Sequence, residues 1–151
     1  MTDIPLVEKY SRSMVEQFLR SANLKFMIDQ DGDYQVTFAE DDSYGDAVIV
    51  WFISAGEQKE ILAIRAHSNR VVPEPEWPRF MALCNTWNAD KRWPKVYLAT
   101  NIGREKGGRL VAEQQFDLEK GIHYDLLAYL CRQSIAVSFQ FFEWILKQAG
   151  A

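Results

Sequence analysis

This 151-residue chain has no apolar run long enough to cross a bilayer, which sets aside a helical membrane anchor. Cysteine is scarce. Cys84 and Cys131 lie far apart in apolar, helix-like segments, and no CxxC or Cys/His spacing supports a zinc or redox site, so both are expected to be buried thiols. The opening MTDIPLVEKY lacks a basic start followed by an apolar stretch, so the sequence predicts neither a secretory signal nor a transit peptide and points to the cytoplasm. Lysine and arginine total 17 against 21 aspartates and glutamates, with no basic block; the net charge of −4 works against the counterion release that drives nucleic-acid binding. The two histidines, His67 and His123, belong to no HExxH pair, and no GxSxG elbow occurs, so no nucleophile and base can be matched and no catalytic residue is assigned. Internal repeats, low-complexity tracts and long linkers are also missing, which predicts one domain over residues 1–151.

What is present is a water-soluble globular composition, 48% hydrophobic and 13% aromatic, with clear periodicity. Residues 4–22 read as a first helix, with Pro5 in its opening turn, Thr2 or Asp3 as the cap, and Val7, Tyr10, Met14, Val15, Phe18 and Leu19 on one stripe. Residues 24–29 and 34–40 alternate on either side of QDGD as a hairpin. DAVIVWFIS, 46–54, is apolar at nearly every position and reads as a central strand covered on both sides; 59–68 follows as its antiparallel neighbour. A second helix is expected from Pro75 or Pro78 to about Asn88, then a hairpin of 93–100 and 109–118, then a last helix from about His123 to Gln148. The fold class is therefore α+β: an antiparallel sheet, a four-stranded meander plus a hairpin, with helices packed on it in the order α-β-β-β-β-α-β-β-α.

The last helix says most about function. Leu127, Cys131, Ile135, Phe139, Phe142 and Leu146 occupy one flank, while Leu126, Leu130, Val137, Phe141 and Trp144 form another, so the apolar arc spans roughly 220° against the ~100° that one supporting sheet requires. Either another helix covers the second flank or it is a subunit or polypeptide-partner interface. On the interface reading, glutamates at both Val137 and Phe141 would weaken self-association while leaving much of the helix content intact; loss of folding instead would show that flank to be core.

Other chemistry is thin. Asp29, Asp31, Asp33 and Glu40 stand at calcium-loop offsets, but the glycine is misplaced for such a loop and the segment joins strands, so a hairpin turn explains it better and no metal is assigned. The loop 103–109, GREKGGR, carries cations and glycines without a P-loop ending and reads as a solvated hairpin tip. Asp41, Asp42 and Asp46 form an acidic loop that solvates the turn before the apolar strand.

The segment NTWNADKRWPKVYLAT, with Asn85, Trp87, Asn88, Trp93, Pro94 and Lys95, and the later LEKGIHYDLLAYL resemble the YbjN family of bacterial proteins, a likeness that reaches from about residue 5 to 148. The resemblance implies a fold like that of type III secretion chaperones. It also implies an intracellular homodimer of the sensory transduction regulator group, able to hold another protein and needing no cofactor. On structural grounds Asn85 and Asn88 are expected to end the second helix and bond its carbonyls or the next loop, with Trp87 and Trp93 over the sheet edge.

The reading that follows is a non-enzymatic, chaperone-like regulatory module acting as a dimer, whose partner is another polypeptide rather than nucleic acid or membrane. The alternative is a small-ligand sensor using Arg65, His67 and aromatic side chains on the open sheet face. A third is an enzyme built on the acidic loop residues Asp41, Asp42 and Asp46.

Overall fold

The computed structural model describes residues 4, 6–100 and 107–150. Its elements are α1 (Arg12–Ser21), β1 (Met27–Ile28), β2 (Tyr34–Phe38), β3 (Val48–Ala55), β4 (Ile61–Ser68), a single 3₁₀ turn (Glu74–Glu76), α2 (Trp77–Asp90), β5 (Lys95–Ala99), β6 (Arg109–Asp117) and α3 (Tyr124–Ala149). The helix and strand order is the expected one. The six strands form one sheet in the order β1-β2-β3-β4-β6-β5, antiparallel at every junction. The final hairpin thus docks through its second strand, β6 lying beside β4 and β5 taking the edge.

Strand alternation sorts the side chains into two faces. Val36, Val50, Phe52, Leu62, Ile64, Ala66, Leu98, Leu110 and Ala112 point inward and join Val15, Phe18 and Leu19 of α1, Phe80, Cys84 and Trp87 of α2, and Leu127, Cys131, Phe142 and Ile145 of α3 in one core. Each large side chain enclosed there contributes about 1.5–3 kcal/mol relative to exposure. Inward polar groups are paired: Gln114 donates to Ser134 Oγ at 2.8 Å and Gln133 Oε1 at 3.1 Å, and the Tyr10 and Ser54 hydroxyls meet at 2.8 Å.

Four boundaries depart from the periodicity. α1 starts at Arg12, not at residue 4: Ser11 is extended, and Glu8 exchanges both backbone hydrogen bonds with Ile122 in an antiparallel bridge. Long-range pairing there outcompetes the helical stripe, leaving Val7 exposed and Tyr10 buried from extended chain; the expected cap and Pro5 lie outside the described residues. β1 has two residues, both exposed, so it is a short edge strip. β3 is enclosed on one face only, with Ile49, Trp51, Ile53 and Ala55 half-buried on the other. α2 runs two residues past Asn88, to Asp90.

Candidate functional site

α2 and α3 pack antiparallel. At one end the Arg79 guanidinium donates to the Ala149 carbonyl at 2.9 Å; at the other, the Trp87 ring meets Phe141 and Trp144 with centroids 5.3 and 5.4 Å apart. α2 therefore covers the C-terminal part of the second flank of α3. Phe141, 0% exposed, belongs to the core, where a glutamate is expected to bury a charge and disturb the fold, while Val137, 9% exposed, faces the groove that opens where α2 stops. Trp144 and Leu130 are half-buried. Beyond the end of α2, Leu126 (40% exposed) and its neighbour Tyr129 (57%) are open to solvent. The wheel identified the flank; it could not say how far a fourteen-residue helix would reach along a twenty-six-residue one.

Where α2 stops, the chain turns through Lys91–Pro94 and leaves a groove of about 380 Å³ against α3. Its walls are Trp87, Val137 and Trp144; Gln140 adds an amide, and Lys91, Arg92 and the 46% exposed Trp93 form its lip. Lys91 lies 5.9 Å from the Trp87 ring centroid and 3.7 Å from Asp90 Oδ2, while Arg92 has no hydrogen bond or ion pair with any described residue. Three indoles and two cations thus meet at a junction the sequence had marked only as a structural motif.

The motif residues themselves divide. Trp87 Nε1 donates to the Pro94 carbonyl at 3.2 Å, across a cis Trp93–Pro94 peptide. Asn88 does not bond the helix carbonyls: its amide nitrogen donates to Val96 O at 2.9 Å and its Oδ1 accepts from Val96 N at 3.0 Å. Asn85 is exposed and makes no side-chain hydrogen bond with a described residue.

On the face of the sheet away from the core, register places Trp51, Arg65, Glu113 and Lys95 in one row across β3, β4, β6 and β5. Glu113, 3% exposed, is the centre the sequence reading missed. Its Oε1 accepts from Arg65 Nη2 at 2.9 Å, Arg65 Nε at 3.2 Å and Gln115 Nε2 at 3.2 Å; its Oε2 accepts from the Tyr97 hydroxyl at 3.2 Å, with Lys95 Nζ at 3.5 Å. Burial pushes the Glu113 carboxyl up, but the hydrogen bonds and charge of Arg65, then Lys95 and Gln115, outweigh it and hold the group below the usual glutamate range. His67 is pulled below its ordinary value by burial and then by the charges of Arg109 and Arg65, so it sits neutral at pH 7. Arg65 spends its guanidinium on Glu113, which reads as a closed ion cluster.

The remaining candidates resolve locally. Asp29, Asp31 and Asp33 bring oxygens within 4.8 Å of one another, yet Asp29 Oδ1 accepts the Asp31 and Asp33 amides, and Asp33 Oδ1 accepts the Ser54 amide at 3.1 Å beside Arg12 at 3.5 Å. The trio is a turn clamp. Asp41 accepts from the Ser43 amide and hydroxyl, another turn. His123 caps α3 by accepting the Leu126 amide at 3.0 Å. Most of the 103–109 loop lies outside the described residues. Cys84 and Cys131 are buried, and burial pushes their thiols up to about 11 and about 12. No helix among the described residues is long and apolar enough to cross a membrane.

A family model named YbjN, described as "Putative bacterial sensory transduction regulator", matches residues 11–147. A crystal structure of YbjN from E. coli, described as "a putative transcription regulator", superposes with a TM-score of 0.75 over 95% of this chain and 97% of that one, at 14% sequence identity. No curated protein matches the chain. At that identity the superposition speaks for the fold, whose element order and antiparallel sheet it supports.

Proposed function

The chain belongs to the YbjN family, and from that premise we propose that it regulates without catalysis, by holding a polypeptide against α3 and pairing with a second copy of itself. The observation that carries this reading is the uneven cover on α3. α2 shields Phe141, but the flank continues past the end of α2 as Leu126, Tyr129 and Leu130, and the aromatic groove, with Val137 in its wall, opens between the two. Exposed apolar surface of this kind commonly marks a protein-binding site. The Leu126–Leu130 end suits a second subunit and the groove suits a client. Non-catalytic action fits the residues that chemistry would need: His123 caps a helix, the acidic clusters clamp turns, and both thiols are buried.

Light scattering on size-separated protein at several concentrations tests the pairing. A mass near twice 17.5 kDa, falling towards 17.5 kDa in a Leu126→Glu variant, is the expected result; a wild-type monomer at every concentration refutes the dimer. Binding of short labelled peptides at the groove tests the client half.

A further inference from the structure

We infer that the groove between the end of α2 and α3 selects an acidic segment that carries a bulky apolar or aromatic side chain; this rests on the polypeptide-binding reading above.

Trp87, Val137 and Trp144 give apolar walls, and a volume of about 380 Å³ accommodates one large side chain with its adjoining backbone. Trp93 stands half exposed at the mouth, where a flat indole offers stacking area at little cost in side-chain freedom. No acidic side chain lines the groove. Its charges are Lys91 and Arg92, with Asp90 next to it in sequence; Asp90 pairs with Lys91 and leaves Arg92 over. The lining itself carries two positive groups and no negative one, on a chain whose overall balance is −4.

Arg92 decides the chemistry. Among the described residues Arg65 spends its donors on Glu113, Arg79 on the α3 carbonyls and Arg20 on Glu16; Arg132, exposed and likewise without a hydrogen bond or ion pair, does not line the groove. Arg92 keeps a planar guanidinium unspent at the rim of an indole-lined groove, and a carboxylate is the group whose geometry matches that fork. Lys91, held over the Trp87 ring, adds a second positive point on the same side. A segment with an acidic residue two or so positions from a Trp, Phe or Leu satisfies both walls and lip. Nucleic acid would also offer stacking bases and negative charge, but two cations release few counterions and the chain as a whole, at −4, repels a polyanion.

Fluorescence anisotropy with short labelled peptides tests this. One peptide has a central tryptophan flanked by glutamates, a second has glutamines instead and a third lysines; labelled oligothymidylate is the fourth probe. The expected result is binding of the glutamate peptide on the order of tenfold tighter than the glutamine one, an advantage that shrinks with added salt, and no measurable binding of the lysine peptide. Arg92→Glu, at an exposed turn residue outside the core, should abolish the preference while circular dichroism stays unchanged. Equal binding of the glutamate and glutamine peptides, or an unaltered preference in Arg92→Glu, overturns the acidic selectivity while leaving polypeptide binding intact. Failure of every peptide overturns both, and tight binding of oligothymidylate that Arg92→Glu removes assigns the groove to nucleic acid instead.

Discussion

Replacing Glu113 isolates one ion cluster on the open sheet face, and its cost follows from its partners. A hydrogen bond to a charged group contributes about 1.5–3 kcal/mol net, and breaking a fully buried pair costs about 3–5 kcal/mol. Here the carboxylate is buried but the partners are not: the Arg65 side chain is 40% exposed and that of Lys95 60%, and Gln115 lies on the surface, so all three return to water when the acceptor goes. Only Tyr97 is left without an easy substitute. Glu113→Ala should therefore cost about 2–3 kcal/mol, below the fully buried figure, and Glu113→Gln, which keeps shape and one acceptor, about 1–2 kcal/mol. At this chain length the alanine variant should melt about 5–10 °C lower. The pH dependence carries the sharper signature. Because the folded-state carboxyl titrates below its unfolded value, its contribution is complete above the ordinary glutamate value of about 4.5 and disappears as pH falls below that, through the depressed folded-state value. Urea midpoints measured from pH 7 to pH 3 should show wild type and Glu113→Gln converging in acid, with equal m-values. A gap that stays constant across that range, or no gap at pH 7, would refute the account of Glu113 as a charged hub.

Three further outcomes are expected. Phe141→Glu should abolish cooperative unfolding, since it places a charge at a fully enclosed ring site, whereas Leu126→Glu should keep the wild-type circular dichroism spectrum; equal tolerance of both would mean that α2 does not cover α3 as described. With thiols pushed up to about 11 and about 12 and buried, Cys84 and Cys131 should resist a thiol reagent at pH 8 in native protein and react at once in denaturant; fast native labelling would contradict their enclosure. Asn88→Ala removes both side-chain bonds to Val96 and should destabilise by about 1–2 kcal/mol, with faster hydrogen exchange at the Val96 amide as the local readout.

The order of elements was readable because each carries its own period: alternation in β2 and β3, the aromatic stripe in α3 and prolines before α2. The first helix was misread because Val7 and Tyr10 fit the stripe of Met14 and Phe18, while the bridge that holds Glu8 extended comes from Ile122, more than a hundred positions away. Glu113 was missed for a related reason. It matters only because β6 docks on β4, which brings Arg65 opposite it, and local periodicity does not specify strand neighbours across a crossover. The second flank of α3 was visible as surplus apolar arc, yet the division between covered Phe141 and open Leu126 depends on where α2 ends. The groove went unread because its lip, Lys91 and Arg92, looks like an ordinary polar turn until Trp93 and Trp144 stand on either side.

The paired bonds between Asn88 and Val96 have one more consequence. An edge strand normally offers its outward amides and carbonyls to any passing chain, the usual start of sheet-to-sheet aggregation. By presenting a donor and an acceptor in the spacing of a peptide group, the Asn88 side chain acts as a one-residue false neighbour and closes β5 at its second position. At the opposite border β1 pairs with only Tyr34 and Gln35 of β2. Closing that position of β5 takes away one place at which a foreign strand could add to the sheet, next to a helix that leaves hydrophobic surface open to solvent.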